Sequence, residues 1–516
     1  MANKPSTPVL VTDLTVQFRS DNDPSTSSLD PQRGHWVEKD LYLYSAKDTG
    51  WIYIQTIQQN EISDNQLVVV EIKVGRHKPG SGWESRPAGI WVRRVSYGDV
   101  AQAVTDVDVL FGIDAVDPRP GWTLIEAPLL LNVDRGRDIP VPRLSINMRQ
   151  SKIPSPNDPD SPLKHLRVNE NGKLKILQIS DAHVITGPGT CKDAIDAHGN
   201  LLPPSVADPL TVSFIERILD DEKPDLALLT GDQIHHDVLD SQSALFKVVA
   251  PLISRGIHLA AVFGNHDAEG AHALSRTEQM SLLQSLPFSL CDAGPEDIDG
   301  VGNYYLQIYD HSYKSPLVTL FLLDSHGQIP SDIKNPDYDS IKPSQISWFK
   351  HVSQELREAR IDDKRFHTSL AFMHIPFPEY AHKDLELWGG QRREPTEGPS
   401  VNSHFYDALV EEGVVAVGCG HDHVNDFCGL LSRNGQESSR GYQDMSSSHG
   451  PWLCYGGGSG FGGYCSYGDK RYHRRMRVWD FDTDAGNIIT WKRLEYTDER
   501  VDELMLVQGG RVVIPE

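Results

Sequence analysis

The pattern of apolar and polar positions changes character near residue 150. Before that point the chain carries short β-branched and aromatic runs, Leu14-Thr15-Val16-Gln17-Phe18, Leu41-Tyr42-Leu43-Tyr44, Trp51-Ile52-Tyr53-Ile54 and Leu67-Val68-Val69-Val70, divided by Gly, Pro, Asp and Asn. Runs of this length between turn formers predict strands, so residues 1–150 are expected to be all-β. A sequence signature repeats within them. Val11-Thr12-Asp13-Leu14 returns as Val104-Thr105-Asp106-Val107, and each copy is followed by a Gly-His-Trp or Gly-Trp, at Gly34-His35-Trp36 and Gly121-Trp122. The repetition predicts pseudo-symmetric β units, arranged as a β-prism or sandwich-like module.

Residues 151–172 open with Ser151-Lys152-Ile153-Pro154-Ser155-Pro156-Asn157-Asp158-Pro159-Asp160-Ser161-Pro162, a proline-rich polar linker. Beyond it, strand-like runs at Lys173 to Ser180, Asp225 to Thr230, His258 to Phe263, Leu317 to Leu323, Ser369 to Met373 and Val414 to Val417 alternate with helical stretches near 208–221, 241–253, 271–286, 343–359 and 402–412. That alternation predicts an α/β (α+β) domain of layered architecture over residues 173–500, with 501–516 as a C-terminal tail.

The apolar runs end in metal-ligand chemistry. Ile179-Ser180 leads into Asp181-Ala182-His183, Leu229-Thr230 into Gly231-Asp232, and Leu259-Ala260-Ala261-Val262-Phe263 into Gly264-Asn265-His266-Asp267. Phe372-Met373 leads into His374, and Val417-Gly418-Cys419 into Gly420-His421-Asp422-His423. Ligands collect where strands leave an α/β sheet. Carboxylate and imidazole together suit Mn, Fe or Zn, and a shared carboxylate can hold two such ions ~3.5–4 Å apart. D-x-H and H-x-H on extended chain place both side chains on one side. The glycines before Asp232, Asn265 and His421 allow a tight bend at each site. For any single cluster, a hydrogen-bonded structural Asp or His explains the residues as well. Five clusters in this order, each after an apolar strand, are not a chance collection.

The ordered set of D-x-H, G-D, G-N-H-D, a lone His after a strand, and G-H-x-H resembles the calcineurin-like metallophosphoesterases. Within them it is similar to the purple-acid-phosphatase-29-like and fungal cell-cycle-regulator-type phosphatases. Further matches are His374-Ile375-Pro376-Phe377-Pro378-Glu379, Val424-Asn425-Asp426-Phe427-Cys428-Gly429 after the last cluster, Ile341-Lys342-Pro343-Ser344-Gln345, and Leu453-Cys454-Tyr455-Gly456-Gly457-Gly458. The resemblance covers residues 172 to about 495 and implies a four-layer β-sandwich flanked by helices. It also implies that Asp181, His183, Asp232 and His423 hold one metal ion, and that Asp232, Asn265, His374 and His421 hold a second, with Asp232 bridging. His266 is then the general acid, and a metal-bridging hydroxide the nucleophile. One departure stands out: true purple acid phosphatases carry a tyrosine three residues after the bridging aspartate, and here that position is His235. His235 and His236 are either substrate-facing or part of a solvated turn. Asp267, Asp422 or another carboxylate is expected to orient an imidazole. The N-terminal module lies outside this resemblance; it is similar to β-prism modules of membrane-trafficking proteins, and its expected role is to bind or position a protein partner.

Composition narrows the function classes. With 49 Lys plus Arg against 72 Asp plus Glu, the chain carries a formal net charge of −23. Such a surface argues against a general nucleic-acid or membrane-surface binder, but not against a small anionic substrate, because bound cations invert the local field. Arg392-Arg393 and Arg474-Arg475-Arg477 are candidates for substrate phosphate, or else solvated charge. The stretches 327–337 and 432–450 read as insertions that can rim the pocket. The first residues carry no apolar h-region, no run approaches the ~20 apolar residues of a membrane span, and the six cysteines form no C-x-x-C pair. Reduced thiols and a soluble, cytoplasmic protein are therefore expected. The expected activity is dinuclear metal-dependent hydrolysis of phosphomonoesters, on a phosphoprotein or a small metabolite. The alternatives are a phosphodiesterase or nucleotide hydrolase with the same core, or a non-catalytic scaffold.

Overall fold

The computed structural model describes residues 9–20, 33–44, 48–100, 102–131, 140–148, 166–331, 333, 336–431 and 450–514. Most of the linker, at 151–165, and nearly all of the insertion expected at 432–450 lie outside the described residues.

The chain separates into two compact units, the first comprising Met1–Ser155 together with Gln242–Ala250. Its strands make three three-stranded antiparallel sheets. Val9–Ser20 pairs with Asp48–Gln58, which also pairs with Gly34–Trp36. Leu67–Val74, Ile90–Ser96 and Trp83–Ser85 repeat that order, and so do Val104–Phe111, Pro142–Met148 and Trp122–Leu124. Each leading strand is irregular at the same point: between Val11 and Asp13, between Val69 and Glu71, and between Val104 and Asp106. The repeat is thus threefold, with Val69-Val70-Glu71-Ile72 and Gly82-Trp83 as the middle copy. Leu10, Val68 and Ala103, the residues just before the three equivalent valines, are buried in one cluster. A three-stranded sheet has too little surface to bury a face alone, so three of them close on a shared core. That arrangement is a prism rather than a two-layer sandwich. Within the same unit, Ser243 Oγ accepts from the Phe111 amide at 2.8 Å and Gln242 Nε2 donates to Asp108 at 2.9 Å.

The second unit comprises Pro156–Ser241 and Pro251–Glu516. It contains two seven-stranded mixed sheets. In the first, Lys173–Ile179, Leu226–Thr230 and His258–Val262 run parallel, and Arg475–Asp482 pairs antiparallel with Lys173–Ile179 on its other side. In the second, Pro316–Leu322, Thr368–Phe372, Ala416–Cys419 and Trp452–Tyr455 run parallel. The parallel strands are mainly apolar and mostly buried, as expected of strands covered on both faces. Helices Ala207–Glu222, Arg276–Gln284, Pro343–Glu358 and Phe405–Glu411 stand in the helical stretches expected from the sequence, as does Ser241–Ser254, most of which belongs to the first unit. Local capping sets their ends: Ser275 and Glu278 form a capping box at Arg276–Gln284, and Pro343 opens its helix at the first turn.

Two expectations change here. Val501–Gln508, expected within a tail, pairs with Asn487–Leu494 and extends the first sheet. Cys428 and Cys454 are directly opposed on neighbouring antiparallel strands and joined by a disulfide, so the cysteines are not all reduced thiols. The argument for a reducing compartment therefore loses its support. Among the described residues no helix is long and apolar enough to cross a membrane.

Candidate metal centre

Five parallel strands deliver the site. Lys173–Ile179, Leu226–Thr230 and His258–Val262 run out into Asp181 and His183, Asp232, and Asn265; Thr368–Phe372 and Ala416–Cys419 run out into His374 and into His421 and His423. The backbone at these exits is strained. Asp181, His183, Asp232 and His421 have φ of +55°, +46°, +52° and +75°, in the left-handed region that side chains disfavour. Interlocking bonds hold it. The Asp181 amide donates to Gly231 O and the His183 amide to Asp232 O, each at 3.0 Å. The His421 amide donates to the Asp181 carboxylate at 3.2 Å. Of the three glycines singled out by sequence, Gly231 has φ of +89°, whereas the other two are required for space: a Cβ on Gly264 would stand 2.1 Å from Asp232 Oδ1, and one on Gly420 1.8 Å from Ser180 Oγ.

The side chains gather into two groups, Asp181 with His183 and His423, and Asp232 with His374 and His421, with the ligand atoms of each group within 4.8 Å of one another. Asp232 Oδ2 stands between them, 3.2 Å from His374 Nε2 and 3.7 Å from His183 Nε2. Asp181 Oδ1 is 3.5 Å from His423 Nε2, and the Nε2 atoms of His183 and His423 are 3.0 Å apart. His421 and His423 thus fall in different groups; the left-handed backbone at His421 breaks the alternation that would have put them on one side. The imidazoles are oriented from behind. His374 Nδ1–H donates to Thr230 O at 2.9 Å and His423 Nδ1–H to Tyr464 O at 2.7 Å, which leaves Nε2 as the inward lone pair on each. The Tyr464 ring stacks on His423 at 3.9 Å.

Two further atoms test the fit to a cation. Asn265 Oδ1 and His421 Nε2 are buried without a hydrogen-bond partner, and His374 Nε2 faces the Asp232 carboxylate at 3.2 Å. Buried polar atoms are rarely left unpartnered, and here both belong to the expected ligand set. Burial also sets the charges: it pushes the Asp181 carboxyl up to about 7 and the His423 imidazole down to about 3. Burial opposes both charges in the His374–Asp232 pair, yet their mutual attraction takes His374 up to about 9 and holds Asp232 well below the carboxylate range. Dications among these groups favour ionised carboxylates and neutral imidazoles, and the mixed oxygen and nitrogen donors suit Mn, Fe or Zn.

His266 follows Asn265 in a single 3-10 turn, His266–Ala268, with its ring centroid 5.4 Å from that of His183. Its Nδ1 is paired with Glu269 Oε2 at 2.6 Å, and its amide donates to Asp232 Oδ1 at 2.8 Å. Burial works against a charge on this ring, but Asp232 and Glu269 outweigh it and raise its pKa. Glu269 is therefore a carboxylate that orients an imidazole, and sequence reasoning did not single it out. Its spacing, three residues after His266 on one turn, was the available signal. Asp267 does something else. It accepts from the amides of Asp232 (2.9 Å), Gly264 (2.7 Å) and Ile234 (3.0 Å), tying two ligand loops together. Asp422 accepts from Tyr455 Oη at 2.5 Å and from the Glu397 amide, and among the described residues it bonds no imidazole.

The candidate phosphate-binding arginines turn inward, apart from the exposed Arg392. Arg474 and Arg477 are wholly buried and donate to backbone carbonyls, while Arg475 and Arg393 pair with the buried Asp426. Arg392 donates to Tyr380 O. His235 is buried rather than part of a solvated turn, with its ring 5.4 Å from His183; His236 is exposed and packs against it at 4.0 Å. Next to the stretch 327–337, Tyr338 stands edge-on to His421 at 4.8 Å.

Comparison with known proteins agrees with this geometry. A model of the calcineurin-like phosphoesterase domain matches residues 174–425. The chain is 34% identical over 423 residues to phosphatase DCR2 of Saccharomyces cerevisiae, covering 79% of this chain and 67% of that protein. It is 36% identical over 361 residues to a protein of Arabidopsis thaliana named probable inactive purple acid phosphatase 14, covering 64% and 83%. Among solved structures, a dimetal phosphatase from Danio rerio aligns over 65% of this chain and 99% of its own at 14% identity, with a TM-score of 0.40. With the ligand loops in this order and relatives of this identity and coverage, the chain belongs to the calcineurin-like phosphoesterases.

Proposed function

We propose that this protein is a dinuclear metal-dependent phosphatase that hydrolyses phosphomonoesters, on a phosphoprotein or a small phosphorylated metabolite, with His266 as general acid. The observation that carries this reading is the gathering of the Asp232, His374 and His421 donor atoms into one group, with His421 Nε2 and Asn265 Oδ1 buried and unpartnered and the His266 amide bonded to Asp232. Asp181, His183, Asp232 and His423 would hold one ion, and Asp232, Asn265, His374 and His421 the other. Bound ions supply Lewis-acid polarisation of the phosphoryl oxygens and a water acidified to near neutrality. His266 carries the proton for the leaving oxygen. Glu269 accepts from Nδ1, leaving Nε2 as the donating position, and stabilises the imidazolium until transfer. The turn that bears His266 is fixed to Asp232 through its amide, so donor and ligands move as one body.

Two other readings remain in view. A diesterase uses the same core. A scaffold is suggested by the word inactive in the names of relatives. The full ligand set with His266 and its carboxylate supports the enzyme. The test is turnover of p-nitrophenyl phosphate and bis(p-nitrophenyl) phosphate by chelator-stripped protein, with Mn, Fe, Zn or Mg restored singly. Recovery on the monoester supports the proposal, and preference for the diester replaces it with a diesterase. Two bound ions without turnover of either compound would make the chain a scaffold, with the prism module as its partner-binding surface.

A further inference from the structure

An anionic substrate approaching a chain of net charge −23 gains from a protein cation at the mouth of the site in addition to any bound metal. The arginines near the centre are engaged with carbonyls and with Asp426. Lys192 is placed differently. It is exposed, and its ammonium lies 3.0 Å from Nε2 of His235. An ammonium can only donate, so His235 Nε2 accepts; its Nδ1–H is then free to donate to Asp237 Oδ1 at 2.7 Å. Lys192 therefore rests on a neutral imidazole. Among the described residues no carboxylate pairs with it, so its charge is uncompensated.

Main-chain bonds hold Lys192 beside the metal centre. Its amide donates to Phe461 O at 2.9 Å, and the buried Arg474 guanidinium donates to its carbonyl. The next residue, Asp193, accepts from Ser466 Oγ at 2.8 Å. The loop it is tied to covers the first ligand group: a Cβ on Gly463 would stand 2.6 Å from His423 Cε1 and 2.8 Å from His183 Cδ2. The His235 ring, the seat of the ammonium, lies 5.4 Å from His183 and stacks parallel to His266 at 6.0 Å. Lys192 is thus anchored from two directions, and the His235 ring on which its ammonium rests lies beside both His183 and His266.

We infer that Lys192, seated on His235, binds a phosphoryl oxygen of the substrate and favours a monoester dianion over a diester. This rests on the phosphatase reading above and names the residue behind its specificity. A monoester presents one more anionic oxygen than a diester, in which a second organic group occupies that position. A cation facing that oxygen gains a charge-assisted bond with the monoester alone.

The test is calorimetric titration of inorganic phosphate into the metal-loaded protein and its variants Lys192→Met, Lys192→Arg and Lys364→Met, with metal content measured on each. Lys364 is exposed and lies before the strand Thr368–Phe372, at the opposite end from His374, so it controls for loss of one charge. The expected result is phosphate affinity reduced about tenfold or more in Lys192→Met, largely restored in Lys192→Arg and unchanged in Lys364→Met. KM for p-nitrophenyl phosphate should rise in parallel, with bis(p-nitrophenyl) phosphate little affected. Phosphate affinity in Lys192→Met within about twofold of the unaltered protein, with metal retained, would overturn the inference. If Lys192→Met lost metal, Lys192→Gln would be read on the same scale. Normal monoester turnover with unchanged phosphate binding in Lys192→Met removes the anchor and leaves the phosphatase. Lost phosphate binding in a protein that hydrolyses neither ester removes the phosphatase and leaves the anion site.

Discussion

Asp267→Asn is a nearly isosteric change at a residue that touches no expected metal donor atom, yet it should be costly. The carboxylate is almost wholly buried and accepts three backbone amides, from Asp232 and Gly264 on Oδ2 and from Ile234 on Oδ1. A carboxamide has one accepting oxygen. If that oxygen keeps Asp232 and Gly264, the new amino group faces the Ile234 N–H, donor against donor. Losing a hydrogen bond to a charged acceptor is worth ~1.5–3 kcal/mol, and the stranded buried amide adds to it, so roughly 2–4 kcal/mol is expected for the whole event. Because these amides belong to the loops bearing Asp232 and Asn265, metal affinity should also fall, by about 10–100-fold. The assay is urea unfolding, read on the transition that Mn(II) displaces to higher denaturant, together with a Mn(II) titration. Stability within about 1 kcal/mol of the unaltered protein, with unchanged Mn(II) affinity, would show that Asp267 does not tie the loops together.

Other perturbations test separate parts of the structure. Glu495 is buried with neither carboxylate oxygen bonded; burial pushes its pKa up to about 7, against the pull of Arg474. The unfolded chain releases this proton near the ordinary 4.5, so the penalty is absent below that pH, grows as pH rises to about 7, and is full above it. Glu495→Gln should therefore gain roughly 2 kcal/mol more stability at pH 8 than at pH 5, and a pH-independent difference in paired thermal melts would refute this. Tyr464→Ala removes the ring stacked on His423 and should weaken Mn(II) binding, whereas Tyr464→Phe keeps the ring and the carbonyl that accepts from His423. Equal affinities for the two variants would exclude a role for the stack. Gly460→Ala would place a Cβ 1.8 Å from the Ala182 carbonyl oxygen, a backbone atom that cannot swing away. It should destabilise by about 2 kcal/mol or more, and a neutral melt would contradict the close approach of these loops.

Element order and ligand chemistry were legible along the chain because both are local. A buried parallel strand is apolar over most of its length, so the runs ending at Ser180, Thr230, Phe263, Met373 and Cys419 were legible together with the polar candidate ligands after them. The prism was half legible. Val11-Thr12-Asp13 and Val104-Thr105-Asp106 share side chains, while the middle copy keeps only the apolar-x-acidic pattern at Val69-Val70-Glu71. The disulfide was out of reach, because Cys428 and Cys454 meet only through strand register across 26 residues.

What the amino-acid order determined by itself was therefore the inventory: strands, helices, the candidate ligand types, and the position of His266 among them. Each is set by interactions within a few residues. The tertiary structure alone decided how the inventory was used. It gave the orienting role to Glu269 and the loop-tying role to Asp267, turned Arg474, Arg475 and Arg477 inward, and laid Lys192 on His235. Those outcomes depend on which distant segments pack together, and spacing along a chain carries no record of the direction in which a side chain finds its partner.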